Sequence, residues 1–184
     1  VPGFSMSSGT GRYTVEFGLA QSLYQADADT YRLTSDGIRV ENSDDSANVS
    51  GLVESSLFDA VSPCDAKPDP EAGNRLYLYE GINLDEEKLG DVFNNNSGTV
   101  IPPDTLAPFA ITYPEKNDLT GNWIYAFGYL PEGDYTLVFA CDTAADDAVD
   151  HDGLTIPLPD GQVYEFSLAA AEEKVCNIGA DSNC

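Results

Sequence analysis

The chain has 184 residues, 42% of them hydrophobic, which is enough for a folded core in one or two domains and too apolar for a disordered chain. Its 32 acidic and 8 basic residues leave a formal charge of −24. The phosphate attraction behind nonspecific binding to nucleic acid or to anionic membranes is therefore a repulsion here, and both classes are excluded. The alternatives are a cationic partner, or an acidic surface that keeps an exported chain soluble in salty water.

Tyr outnumbers Phe, Gly and Pro are frequent, and long heptads are missing, which favours an all-β class. Residues 1–11, rich in Gly and Ser, read as a flexible lead-in. Residues 12–19 alternate, with Tyr13, Val15, Phe17 and Leu19 on one side and Thr14 and Glu16 on the other, the pattern of a half-buried strand. Residues 20–25 add a helical turn. Segments 31–33 and 38–40 predict a hairpin through Ser35-Asp36-Gly37, whose glycine supplies a positive φ. The polar run 41–48 is the expected boundary between a small β-rich module, residues 1–48, and a larger domain, residues 49–184.

In that domain strands are expected at 49–57, 75–81, 108–113, 123–130, 135–141, 154–158 and 163–168, which suits a two-layer Greek-key β-sandwich. Between them N-N-N-S-G at 94–98 marks a loop, and residues 169–175 read as a helical turn before the tail. The organising stretch is 123–152. Trp123, Tyr125, Phe127 and Tyr129 share one face and Ile124, Ala126 and Leu130 the other, so this strand belongs in the middle of the sandwich. Pro131 starts a tight turn that Gly133 closes with a positive φ, and Tyr135, Leu137, Phe139 and Cys141 then alternate.

Cys64, Cys141, Cys176 and Cys184 contain no C-x-x-C, so they read as disulfides rather than as a metal or redox motif. Three pairings are possible on paper. Cys176 and Cys184 bracket a short Asn/Gly/Asp/Ser segment and are natural partners, leaving Cys64 with Cys141 and implying an oxidising compartment. No apolar run approaches a membrane span, so direct membrane insertion is not expected, and the start at Val1 suggests a piece processed from an exported protein.

Residues 50–168 carry a resemblance. S-G-L-V at 50–53, L-Y-L-Y at 76–79 and L-P-E-G-D-Y-T-L at 130–137 resemble the transthyretin-like, or carboxypeptidase regulatory-like, β-sandwich. Together with G-R-Y-T-V-E-F-G-L at 11–19, G-I-R-V at 37–40 and F-A-C-D at 139–142, the chain also resembles the C-terminal part of exported lipoproteins of Gram-negative bacteria, a family of unknown function. The resemblance implies a fold and an extracellular or cell-surface location, and it assigns no catalytic residues.

No enzymatic motif stands out. His151 is the only histidine, it lies between Asp150 and Asp152, and neither G-x-S-x-G nor H-E-x-x-H occurs, so a non-catalytic chain is expected. Trp123, Tyr113 and Tyr129 are candidates for stacking on a sugar, although rings at this density normally fill a core. The sharpest site is the acidic loop. Asp142, Asp146, Asp147, Asp150 and Asp152 repel one another unless a cation neutralises them, and Ca2+ is the natural guest; the alternative is a solvated loop that binds ions diffusely. The expected function is a structural or adhesive module, extracellular or cell-surface and calcium-stabilised. The alternatives are a polysaccharide-binding module, or a filament subunit in which residues 11–19 complete a neighbour's sheet through edge strands.

Overall fold

The computed structural model describes residues 11–94, 97–180 and 182–184, so the expected lead-in lies, except for Gly11, outside the described residues. Twelve strands follow in order: β1 (Tyr13–Phe17), β2 (Leu23–Asp27), β3 (Thr30–Leu33), β4 (Ile38–Asn42), β5 (Ala47–Val53), β6 (Arg75–Glu80), β7 (Ala110–Thr112), β8 (Glu115–Lys116), β9 (Trp123–Leu130), β10 (Gly133–Ala140), β11 (Val163–Leu168) and β12 (Glu173–Val175). One short helix, α1 (Leu19–Ser22), separates β1 from β2.

The fold is an all-β sandwich of two four-stranded sheets, β11-β10-β6-β7 and β12-β5-β9-β8. β9 and β10 belong to different sheets, so the Leu130–Gly133 connection carries the chain across the sandwich rather than closing a hairpin. Tyr135 locks this crossing by donating its hydroxyl to the Pro131 carbonyl at 2.9 Å. The positive φ expected of Gly133 is absent; Tyr129, two residues before the proline, carries it instead, at 54°. The ladder explains why. Ala47 pairs with Leu130 but Val49 with Phe127, so β9 holds an extra residue opposite Asn48, whose Oδ1 accepts from the Tyr129 N–H at 3.1 Å. The bulge shifts the alternation by one, which brings Leu130 into the core and turns Tyr129 out to 42% exposure.

The strands buried on both faces are β6 and β10, not β9. Leu76, Leu78, Leu137 and Phe139 face the opposite sheet, against Val49, Phe58, Tyr125 and Phe127. Tyr77, Tyr79, Val138 and Ala140 face the other way, against Leu89, Val92 and Ile156 from the long loops after β6 and β10. Those loops are a third layer. β9 buries Tyr125 and Phe127, while Ala126 on its reverse is exposed.

Two elements differ for reasons visible in the chain. Residues 154–158 make a single bridge, Ala140 to Leu158, because Pro157 and Pro159 cannot donate to a ladder. The run 169–175, helical by local preference, instead ends in β12, parallel to β5 and continued by N–H bonds from Cys176 to Ser50 O (2.9 Å) and from Ile178 to Leu52 O (2.8 Å). Burial of Cys176 and Ile178 outweighs helix propensity there. The Cys176–Cys184 disulfide closes this arm, and Cys64–Cys141 ties the turn after β5 to the end of β10.

The N-terminal module departs most. β3 pairs with β2, and β4 pairs with β1, so the expected 31–33 with 38–40 hairpin does not form. Gly37 serves close approach rather than positive φ: it accepts from the Gly18 N–H at 2.7 Å, and a Cβ there would lie 2.6 Å from Gly18 O. β5 starts at Ala47, inside the expected boundary, which leaves residues 43–46 as the connection. The module docks on the sandwich through Gln21, whose side chain donates to Pro108 O at 3.0 Å, and through Arg39, which lies 4.5 Å from the Phe109 ring centroid.

A Cβ on Gly51 would overlap the Cys176 carbonyl, whereas one on Gly133 meets only Tyr135 at ordinary distance. Gly51→Ala is therefore expected to lose about 2 kcal/mol or more in chemical denaturation, by prising β12 from β5. Gly133→Ala is expected to stay within about 1 kcal/mol of wild type.

Candidate functional site

The acidic loop leaves β10 after Cys141, and its carboxylates are spent on different tasks. Asp146 is buried and holds three strangers together. It accepts from both the Arg75 guanidinium and the Tyr77 hydroxyl (2.7 Å) through one oxygen, and from the Val92 N–H (3.1 Å) through the other. Arg75 also donates to the Asp146 carbonyl at 2.9 Å. Burial pushes the Asp146 carboxyl up to about 6, against the pull of Arg75, Tyr77 and Val92. Arg75, held by the opposed charge, stays ionised.

Asp147 Oδ1 caps the next turn, accepting from Val149 N (2.6 Å) and Asp150 N (2.8 Å). Asp152 accepts from Asp147 N at 3.1 Å, and Asp150 accepts from Gly98 N at 2.5 Å across the gap to the other loop. Asp142 is exposed, and its charge acts on Lys67. Among the described residues no group of three or more His, Cys, Asp or Glu side chains is placed to hold a metal ion. Arg75 balances Asp146 and backbone N–H donors serve Asp147, Asp150 and Asp152, while Asp147, Asp91 and Asp150 still act on Asp152 as like charges.

His151 is occupied structurally: Nδ1 lies 2.6 Å from Asp91 Oδ1, and its ring stands edge-on to Phe93. Asp91, fully buried, also accepts from Leu154 N at 3.0 Å. Residue 91 was invisible as a site in the sequence. Arg75 did leave a signal, being the one cation at the head of the apolar run R-L-Y-L-Y, where a strand buried on both faces forces it to find a carboxylate.

The aromatic candidates separate. Trp123 packs edge-on against Phe58 at 5.0 Å, with Lys116 over its ring, and so belongs to the core margin. Tyr113 is 43% exposed and carries the Arg75 guanidinium 5.2 Å from its centroid. Tyr113 lines a cleft of about 520 Å³ together with Arg75 and Asp147 of the sandwich and Leu23, Tyr24 and Gln25 of the module. A second cavity, about 620 Å³, lies against Leu52, Ile124, Ala126 and Val175 on the outside of β5 and β9.

The module's surface is inverted. In the β1–β4 ladder Val15 pairs with Val40 and Phe17 with Ile38, and this apolar side faces out, with Val15 and Phe17 each 52% exposed. The polar side faces the sandwich: Glu16 pairs with Arg39, which reaches Phe109 and the Gly128 carbonyl.

Fold and site together define an all-β sandwich with a small β module docked on it and a cleft at their junction. Set against protein-family models, curated proteins and solved structures, the chain matches none. Its two disulfides accord with an oxidising compartment, and no helix among the described residues is long and apolar enough to cross a membrane.

The raised Asp146 carboxyl binds a proton more tightly in the native state than in the unfolded chain, so its contribution to stability is present below about pH 4 and lost as pH rises through about 6. Burial raises Glu41 and Asp152 in the same sense. The thermal midpoint is expected to fall as pH goes from about 5 to about 7, with a shallower slope in Asp146→Asn. A calcium titration followed by calorimetry tests the loop. The hydrogen-bond set leads us to expect a diffuse salt response, whereas a saturable rise in midpoint, lost in Asp147→Asn with Asp150→Asn, would place an ion there.

Proposed function

We propose that the chain is a non-catalytic structural or adhesive module of an exported protein, working outside the cell or at its surface by self-association through β1 and β4. The observation that carries this reading is the inverted β1–β4 sheet, which turns Val15 and Phe17 to solvent and its charged side inward. A two-stranded sheet with an apolar outer face and two open edges is an unfinished layer. Three of the edges of the main sandwich are short, three residues in β7 and β12 and two in β8, and the fourth is β11 with six; what singles out the module is that its open edges adjoin an exposed apolar face. A second copy is the occupant that fits. Stacking the two outer faces buries Val15, Phe17, Ile38 and Val40 of each, and strand exchange would rebuild the same β1–β4 ladder between chains. The transthyretin-like kinship belongs to this reading as well, supported by the L-P-E-G-D-Y-T-L crossing and its Tyr135 lock.

Salt gives the test. Two chains of charge −24 repel, and the screening length falls from about 10 Å at 0.1 M to about 3 Å at 1 M, so association is expected to strengthen with ionic strength. Light scattering and sedimentation should show oligomers growing with salt and concentration. Val15→Asp with Phe17→Asp should return a monomer whose melting temperature is little changed, because both side chains are half exposed. A wild-type chain that stays monomeric at millimolar concentration in about 1 M salt defeats the reading.

A further inference from the structure

The cavity of about 620 Å³ crosses the outer face of the β12-β5-β9-β8 sheet. Leu52, Ile124 and Ala126 line it from the two central strands, with Val175 of β12 toward one side and Tyr113, just before β8, toward the other. Leu52 and Tyr113 are each 43% exposed and Val175 60%, and Glu115 is the one charged residue among the described walls. Ser50 Oγ and Asn177 Nδ2 belong to the same walls and bond to no described residue, the Asn177 Oδ1 being held by the Leu52 N–H at 3.0 Å. Such a groove, in a chain of charge −24, suits an uncharged extended segment: its apolar side chains cover Leu52 and Val175, and its backbone meets the unspent polar groups.

The chain contains a segment of this kind. All 32 acidic and 8 basic side chains lie beyond residue 11, so residues 1–10 carry none, and Phe4 and Met6 stand two apart, on one face of an extended backbone. The segment also starts close enough. Gly11 leads into β1, where Tyr13 pairs with Asn42; the Ser46 N–H returns to Asn42 O at 3.0 Å, and Ser50, in the groove wall, is four residues further along. Two spacings of about 5 Å and about 13 Å of strand put Tyr13 within about 25 Å of the groove. Phe4, nine residues earlier, has a reach of about 30 Å. A tether this short gives the segment a millimolar effective concentration, so at micromolar protein its own groove outcompetes a neighbour's. We propose that residues 1–10 lie extended in the groove of their own chain, with Phe4 and Met6 against Leu52, Ala126 and Val175, as a cover that an incoming apolar partner has to displace.

The cover is separate from self-association, because Val15, Phe17, Ile38 and Val40 are not among the groove walls. Met6 is the only methionine, so photo-methionine in a chain released from a fusion to begin at Val1 labels that position alone. Irradiation at low micromolar protein with disulfides intact, followed by peptide mapping, is expected to join Met6 to peptides holding Leu52, Ala126 or Val175 within the monomer. The chain with Val15→Asp and Phe17→Asp should give the same links, which keeps this test apart from that of the β1–β4 face. Phe4→Asp, outside the described residues, should lose them with near-ultraviolet circular dichroism unchanged, and so should Val175→Asp, at an exposed position. The proposal is overturned by an absence of groove links, by links scattered over other surfaces, by links found only in dimers, or by groove links that survive either substitution.

Discussion

A strand pair with no wet face constrains everything around it. β6 and β10 bury Leu76, Leu78, Leu137 and Phe139 on one side and Tyr77, Tyr79, Val138 and Ala140 on the other. The second side is covered by the connections that follow these strands, so the described residues of 81–109 and 141–162 act as a layer although they hold no long element. Irregular backbone in such a position has many N–H groups to satisfy. Carboxylates meet that demand: Asp91 holds Leu154 and His151, Asp146 holds Val92, Asp147 holds Val149 and Asp150, and Asp150 holds Gly98. Part of the chain's acidity is thus structural, and the rest is surface.

The few cations are placed with matching economy. Arg75 neutralises Asp146 inside the third layer, and Arg39 joins the module to the sandwich between Glu16 and Phe109. Lys67 donates to Asn74 Oδ1 and to the carbonyl of Cys141, both at 2.8 Å, and so fixes the segment beside the Cys64–Cys141 disulfide. Burial lowers its ammonium from the usual value, a cost that the ring of oxygens offsets. None of these three is an exposed salt bridge of the kind that contributes little.

What could be read from the residues alone was whatever local pattern decides. The β6, β9, β10 and β11 strands show their alternation, and the two disulfides follow from spacing and strand placement. What escaped was decided at a distance. The bulge at Asn48 depends on the partner strand, and β12 forms because Ile178 finds a buried place beyond it. The partners of β3 and β4 were exchanged because Gly37 reads equally as a turn former and as a point of contact with Gly18. At the cleft, Tyr113, Asp147 and Arg75 all belong to the sandwich, but Tyr24 and Gln25 joined them only through the docking of the module.

The disulfide pattern also shapes how this chain would carry a mechanical load. Pulled from its two ends, tension passes from Cys64 to Cys141 through the sulfur link, so the stretch between them, a sequence separation of 77 that holds β6 to β10, never lies on the stretched path. At about 3.4 Å per residue this withholds roughly 260 Å of extension. The Cys176–Cys184 ring withholds its own 8 positions at the other end. Under force the sandwich can shed its module and its outer strands while the doubly buried pair stays enclosed in a covalent loop, which makes it a link of limited stretch rather than a spring.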